Sequence, residues 1–239
     1  MIVGTGLIAR AFAAHQDALA ETCVYAAGVS NSSCNDPREF ERERQRMRVA
    51  MTDCTADRLF MYFSTCSIDD PAAQGSAYVL HKKAMEGLVA ERKRHLIFRL
   101  PQLAGATPNP HTLLNYLYAR IIRSERFEIW SGASRNIIDV DDVARIATDL
   151  VVEERACGEI INIANSANSS MFDIVRSMET VLGRRAIFDI LDRGAGYTIA
   201  TDRIQASLRR CRIAFSEDYL LHTIQKYYQH DNKRNDFIQ

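Results

Sequence analysis

No apolar run in this 239-residue chain approaches the roughly 18 residues of a membrane-spanning helix. No basic-then-apolar stretch opens it, so a secretory signal is not expected. Net charge is missing too: 30 Lys and Arg balance 30 Asp and Glu. With no bulk field to attract nucleic acid or anionic lipid, any anionic ligand has to be held by local groups. The six cysteines (Cys23, Cys34, Cys54, Cys66, Cys157 and Cys211) form no Cys-x-x-Cys and no paired spacing with His. They read as reduced thiols of a cytoplasmic protein, and no metal site is expected. Repeats and low-complexity segments are absent. What is left is an ordinary globular composition, 47% apolar and 25% charged, of a size for one large domain.

Met1-Ile2-Val3 is a short apolar strand that runs into Gly4-Thr5-Gly6-Leu7-Ile8-Ala9. Ile8, Ala11, Phe12 and Ala14 then begin a helical pattern. Strand, glycine turn and helix give the context of a G-x-G-x-x-A dinucleotide fingerprint, in which backbone approaches a pyrophosphate at a helix N-terminus. The next strand, Thr22–Ala27, ends at Gly28 without the acidic residue that usually binds the adenosine ribose. Asp36-Pro37 then opens a helix as N-cap and first helical position. Its arginines, between 38 and 48, alternate with Glu39, Glu41 and Glu43. That pattern reads as a solvated face with internal ion pairs and not as a nucleic-acid patch.

Leu59–Phe63 is a continuous apolar run, as expected of a central parallel strand. It ends in Ser64-Thr65-Cys66-Ser67, hydroxyls at the carboxyl end of a strand, where open α/β sheets bind ligands. A helix from Tyr78 to about Arg94 comes next. Tyr78 and Lys82 lie one turn apart on one face of it, where an ammonium can tune a phenol for proton transfer. His95–Leu100 is a further strand, stopped by Pro101. The alternation of strand and helix indicates a parallel sheet with helices on both faces. Beyond Pro108-Asn109-Pro110 the sequence reads as a helix at 112–124, a short strand at 127–130, a helix at 143–152, a strand-like run at 158–163 and an amphipathic helix at 172–182 ending at Gly183. After Gly196 the pattern blurs, and a frayed tail is expected from His230.

Taken in order, the glycine turn, Ala26-Ala27-Gly28, Ser64-Thr65, Tyr78-x-x-x-Lys82 and Arg99-Leu100-Pro101 resemble the extended short-chain dehydrogenases/reductases, the NAD-dependent epimerase/dehydratase family of nucleotide-sugar enzymes. Ser134–Ala144 and Gly158–Ile163 are similar to two later segments of that family. The resemblance implies an α/β fold: a Rossmann-like doubly wound parallel sheet, shortened on the adenosine side, with a small C-terminal α/β substrate-binding lobe. Residues 1–107 would form the cofactor domain, with segments of about 127–165 returning to it, and 108–239 mainly the substrate lobe, in one compact unit. It implies NAD or NADP as cofactor, a nucleotide-sugar substrate and a possible homodimer.

Residue by residue, the resemblance makes Tyr78 the proton-transferring phenol. Lys82 lowers its pKa and holds the nicotinamide ribose, and Thr65 hydrogen-bonds the reacting oxygen. Gly4, Gly6, Leu7, Ile8 and Ala9 would line the pyrophosphate, and Ala27 and Gly28 the adenosine and its ribose. Ser64, Arg99 and Pro101 would lie near the nicotinamide; Thr65, Cys66, Ser67 and Arg135 would meet the substrate. Arg135 is matched to a diphosphate contact, for which its fork is suited.

The chain also departs from the family pattern. Only about 20 residues separate Val3 from Val24, room for one crossover helix, so the family's second and third strands are expected to be missing. Asn136 and Asp139 replace the usual Asp and Tyr. Cys66-Ser67 replaces the Asp-Glu of the dehydratases, which disfavours dehydration and leaves keto-sugar reduction, ahead of epimerisation, with Cys66 as a candidate second acid/base. The competing reading is a non-catalytic NAD(P)-sensing or binding protein with a degenerate cofactor site.

Overall fold

The computed structural model describes residues 1–229; the tail from His230 lies outside the described residues. In chain order the elements are β1 (Ile2–Val3), α1 (Leu7–Ala13), β2 (Thr22–Tyr25), α2 (Pro37–Asp53), β3 (Leu59–Thr65), α3 (Ala77–Ala90) and β4 (His95–Leu100). There follow β5 (Gln102–Ala104), α4 (Leu113–Ile122), β6 (Phe127–Trp130), β7 (Ser134–Arg135), β8 (Ile137–Asp139) and α5 (Val140–Val152). The chain continues with β9 (Glu159–Asn162), β10 (Ser169–Ser170), α6 (Met171–Leu182), β11 (Phe188–Leu191), α7 (Gln205–Cys211) and α8 (Tyr219–Tyr228). The described residues divide into two compact units: residues 1–101, 140–163 and 199–213, and residues 102–139, 164–198 and 214–229.

The first unit is a five-stranded sheet in the order β1-β2-β3-β4-β9, parallel throughout. All seven residues of β3 are buried, as befits the middle strand of a parallel sheet. Its side chains alternate between faces, and the two faces carry different helices. Phe60 and Tyr62, with Cys23 and Tyr25 of β2, pack against Met47 and Ala50 of α2 and Met85 and Val89 of α3. Phe63 points the other way and meets Phe12 of α1, ring centroids 5.1 Å apart, and α5 packs beside α1.

The placement of α1 has a topological consequence. From β1 to β4 the strands advance in one direction across the sheet, yet α1 lies on one face and α2 and α3 on the other. The β1–α1–β2 connection therefore has the opposite hand to the next two. Parallel crossovers are right-handed in about 98% of cases, so one of the two hands here is the rare one. A sheet that had first grown outward from β1 and then lost that outer pair would keep α1 on its own face and look like this. No strand lies beyond β1 among the described residues, as the 20-residue spacing implied.

Local chemistry sets the helix starts. Asp36 caps α2 by accepting from the Arg38 N–H at 2.9 Å, with Pro37 in the first turn. Ser76 caps α3 through the Val79 N–H at 3.2 Å. Gly4 has φ +123°, and a Cβ there would lie 2.5 Å from the Ala26 carbonyl oxygen, so only glycine lets β1 leave the sheet against the end of β2.

The second unit is built from three two-stranded pairs, β5–β8, β6–β11 and β7–β10. Leu117 and Ile121 of α4, Ile174 and Met178 of α6, and Ile224 and Tyr228 of α8 close its core. Gly183, at φ +62°, ends α6 in the left-handed conformation that its position suggested. Where the sequence pattern blurred after Gly196, two helices form. α7 is only two turns long, and α8 buries Leu220, Ile224 and Tyr228, a stripe spaced four residues apart among polar neighbours.

Candidate active site

Tyr78, Lys82, Thr65 and Ser64 come together in the first unit, where the carboxyl end of β3 meets the first turns of α3. Tyr78 is buried beside Ile68, Val79 and Val29. The Thr65 hydroxyl lies close enough to the Tyr78 phenol to draw its pKa down and accepts from the Ser67 N–H at 3.1 Å, capping the short turn Cys66–Asp69. Ser64 is buried too, and its Oγ has no hydrogen-bond partner among the described residues. Buried hydroxyls are rarely left unpaired. An unpaired one at a strand's carboxyl end therefore fits a ligand that supplies the missing bond.

Lys82 occupies a site that the sequence did not reveal. Its side chain is 3% exposed, and its Nζ donates to Glu43 Oε1 at 3.2 Å and to the Tyr62 hydroxyl at 3.1 Å. Glu43 is the acid read as part of a solvated face; its side chain is 1% exposed. The carboxylate accepts from the Val29 N–H at 2.7 Å, from the Tyr62 hydroxyl at 3.1 Å and from His81 Nε2 at 2.9 Å. Since a carboxylate only accepts, His81 carries a proton on Nε2. Phe40 stacks on the His81 ring at 4.4 Å, and His81 Nδ1 is buried with no hydrogen-bond partner among the described residues.

The burial of Glu43 has a physical reason. Glu39 and Glu41 do pair with Arg42 and Arg44 on the outer face of α2. Glu43, however, shares the inward stripe of Phe40, Met47 and Ala50, spaced three and four residues apart. A charge on an apolar stripe was the available signal. Gly28 closes the pocket over the pair: a Cβ there would lie 2.8 Å from Lys82 Nζ and 2.9 Å from Glu43 Oε1.

The electrostatics follow from this packing. Burial works against the Glu43 charge, but the His81 hydrogen bond, the Lys82 ammonium and the Val29 N–H outweigh it and bring its pKa down to about 2. Burial lowers the pKa of Lys82, with Glu43 opposing. Tyr78 is pushed above its ordinary value by burial first and the Glu43 charge second, against the Thr65 hydroxyl. Lys82 Nζ stands 5.8 Å from the centroid of the Tyr78 ring, and its charge is matched by the carboxylate beside it.

The other expected site residues are placed as follows. Gly6 caps α1, and a Cβ there would meet nothing within 4 Å, leaving open space at the turn formed by Gly4, Gly6, Leu7 and Ile8. Arg99 is clamped by Glu86 at 2.9 and 2.8 Å and by Asp69 at 3.2 Å. Pro101 is half-buried at the end of the first unit. Cys66 is fully buried, and burial pushes its thiol well above the ordinary value, which does not suit a second acid/base. Arg135 belongs to the second unit and donates to the Ser134 carbonyl at 2.8 Å. A cavity of about 400 Å³ lies elsewhere, at the amino ends of the strands among Thr22, Leu59, Arg94 and Arg155. No group of three or more metal-ligating side chains occurs among the described residues, and no described helix is long and apolar enough to cross a membrane.

Residues 8–164 match the NAD dependent epimerase/dehydratase family, and the chain belongs to it. No curated protein sequence matches the chain. Among solved structures, it is similar to dTDP-glucose 4,6-dehydratase from Bacillus anthracis str. Ames in complex with NAD (TM-score 0.71, 13% identity, 98% of this chain and 80% of that one). It is similar to RMD from Pseudomonas aeruginosa complexed with NADPH (0.75, 14%, 95% and 98%). It is also similar to UDP-glucuronic acid 4-epimerase from Bacillus cereus in complex with UDP-glucuronic acid and NAD (0.67, 18%, 91% and 77%). At these identities the likeness establishes the Rossmann-type fold.

Proposed function

For this member of the NAD dependent epimerase/dehydratase family, we infer an NAD(P)-dependent enzyme acting on a nucleotide sugar, with keto-sugar reduction favoured over epimerisation. The observation that carries the reading is the convergence of Tyr78, Thr65 and the unpaired Ser64 hydroxyl at the carboxyl end of β3, with Lys82 behind them. The ligands of the similar structures, NAD, NADPH and UDP-glucuronic acid, support it.

When bound, a reduced nicotinamide supplies hydride to the carbonyl carbon of the sugar. The chain's own residues handle the oxygen. Thr65 orients it by a hydrogen bond, and the Tyr78 O–H bond breaks as its proton passes to that oxygen. Ser64 Oγ fits the nicotinamide end, and the open turn at Gly4, Gly6, Leu7 and Ile8 fits a pyrophosphate. Two of the three Lys82 donors are taken by Glu43 and Tyr62. Ala27 and Gly28 would pass the adenosine side, Arg99 and Pro101 the nicotinamide, and Ser67 the sugar.

One observation favours the second reading, a binding or sensing protein without turnover: among the described residues no strand lies beyond β1 to wall the adenosine side. Turnover separates the two. Reduced cofactor should be consumed, measured as loss of absorbance at the nicotinamide band, when a nucleotide 4-keto sugar is added, and Tyr78→Phe should stop it. Cofactor binding without consumption over a panel of nucleotide keto-sugars would favour the sensor.

A further inference from the structure

We propose that Glu43 is a positioning residue that neutralises Lys82 and keeps Tyr78 in its protonated, proton-donating form, setting the site for reduction of a carbonyl. This rests on the reading of Tyr78 as the proton-transferring group. Were Lys82 an unmatched cation one turn from Tyr78, it would favour the phenolate, the form that takes a proton from an alcohol. Here its ammonium is tied to a carboxylate at 3.2 Å inside a sealed pocket, where interactions are little screened. The carboxylate offsets the ammonium, and its charge favours the protonated phenol.

Burial apart, Glu43 is the charged group that acts most on Tyr78. From α2 there is Glu43; from α3, Lys82 and His81, both bound to Glu43. From β3 come Thr65 and Tyr62, whose hydroxyl donates to Glu43. Glu86 of α3, Arg99 of β4 and Asp69 of the turn after β3 satisfy one another. Cys66 is buried as a neutral thiol. Gly28 admits no side chain that would part the pair. In the step itself, the Tyr78 proton goes to the oxygen of the carbonyl receiving hydride, and the phenolate left behind regains a proton from solvent.

The test needs neither substrate nor cofactor. Phenolate absorbance near the ultraviolet tyrosinate band is titrated in the wild type and in Tyr78→Phe, and the difference isolates Tyr78. In the wild type this residue should stay protonated past its ordinary value of about 10. In Glu43→Gln, titrated against Glu43→Gln/Tyr78→Phe, ionisation should move down by about one pH unit or more. An unmoved titration in a folded Glu43→Gln protein would overturn the proposal. So would a wild-type Tyr78 that ionises near neutral pH, a result that holds even if the variant fails to fold. A parallel titration with NADH and NADPH reports on the cofactor site independently, so failure of that reading is told apart from failure of this one.

Discussion

Each unit of this protein holds a carboxylate bound to a lysine and a tyrosine, and the two clusters behave differently. In the first, Glu43 and Lys82 are sealed, with side chains 1% and 3% exposed. In the second, Asp139 accepts from Lys226 at 2.7 Å and from the Tyr227 hydroxyl at 2.6 Å, but the Lys226 side chain is 44% exposed. Lys226 can turn to water if its partner is removed; Lys82 cannot. A sealed pair is held in one geometry because breaking it strands a charge. That makes the first cluster a device for fixing the charge beside a phenol, and the second a brace between β8 and α8.

The sharpest contrast is catalytic. Tyr78→Phe should lower turnover by about 10²- to 10⁴-fold while leaving cofactor affinity unchanged, whereas Tyr227→Phe should leave turnover within a few-fold. Steady-state kinetics and a binding titration would check both. Stability comes next: Glu43→Ala should cost about 3–5 kcal/mol, because Lys82 is left buried without its partner. Asp139→Asn should cost less, about 1–3 kcal/mol, and equilibrium unfolding in urea would rank the two.

Acid should expose the same difference. The pKa of Glu43 is depressed in the fold, from an ordinary 4.5 to about 2. Its contribution is therefore complete above pH 4.5 and is lost as the pH falls through about 2. Glu43→Gln should flatten the stability profile between those limits, measured by thermal unfolding across the acid range. The smallest effect is expected outside both clusters. Arg44→Ala, which breaks the exposed pair with Glu41, should change stability by about 0.5 kcal/mol or less.

Much of this was legible in the residues. The Asp36-Pro37 start of α2, the buried run of β3 and Gly183 at the end of α6 all carry local chemistry that fixes backbone, and each lies where its pattern indicated. The spacing from Val3 to Val24 foretold the missing strands. It could not tell which face α1 would take, because handedness depends on the sheet as a whole.

Glu43 stayed hidden for a related reason. In sequence it sits among Glu39, Glu41 and five arginines, and composition says solvent. Its inward direction comes from the helical phase set by Phe40, Met47 and Ala50, and its partners lie nearly 40 residues away on α3. The Tyr78–Lys82 spacing placed two groups on one helix face, but the charge that meets Lys82 belongs to another element.

Turnover requires the carboxyl end of β3 to be a working nicotinamide site although no described strand lies beyond β1. Titrating NADH and NADPH into the wild-type protein, followed by nicotinamide fluorescence, tests this directly. Saturable binding of at least one of them at submillimolar concentration is the expected result; binding of neither would contradict it.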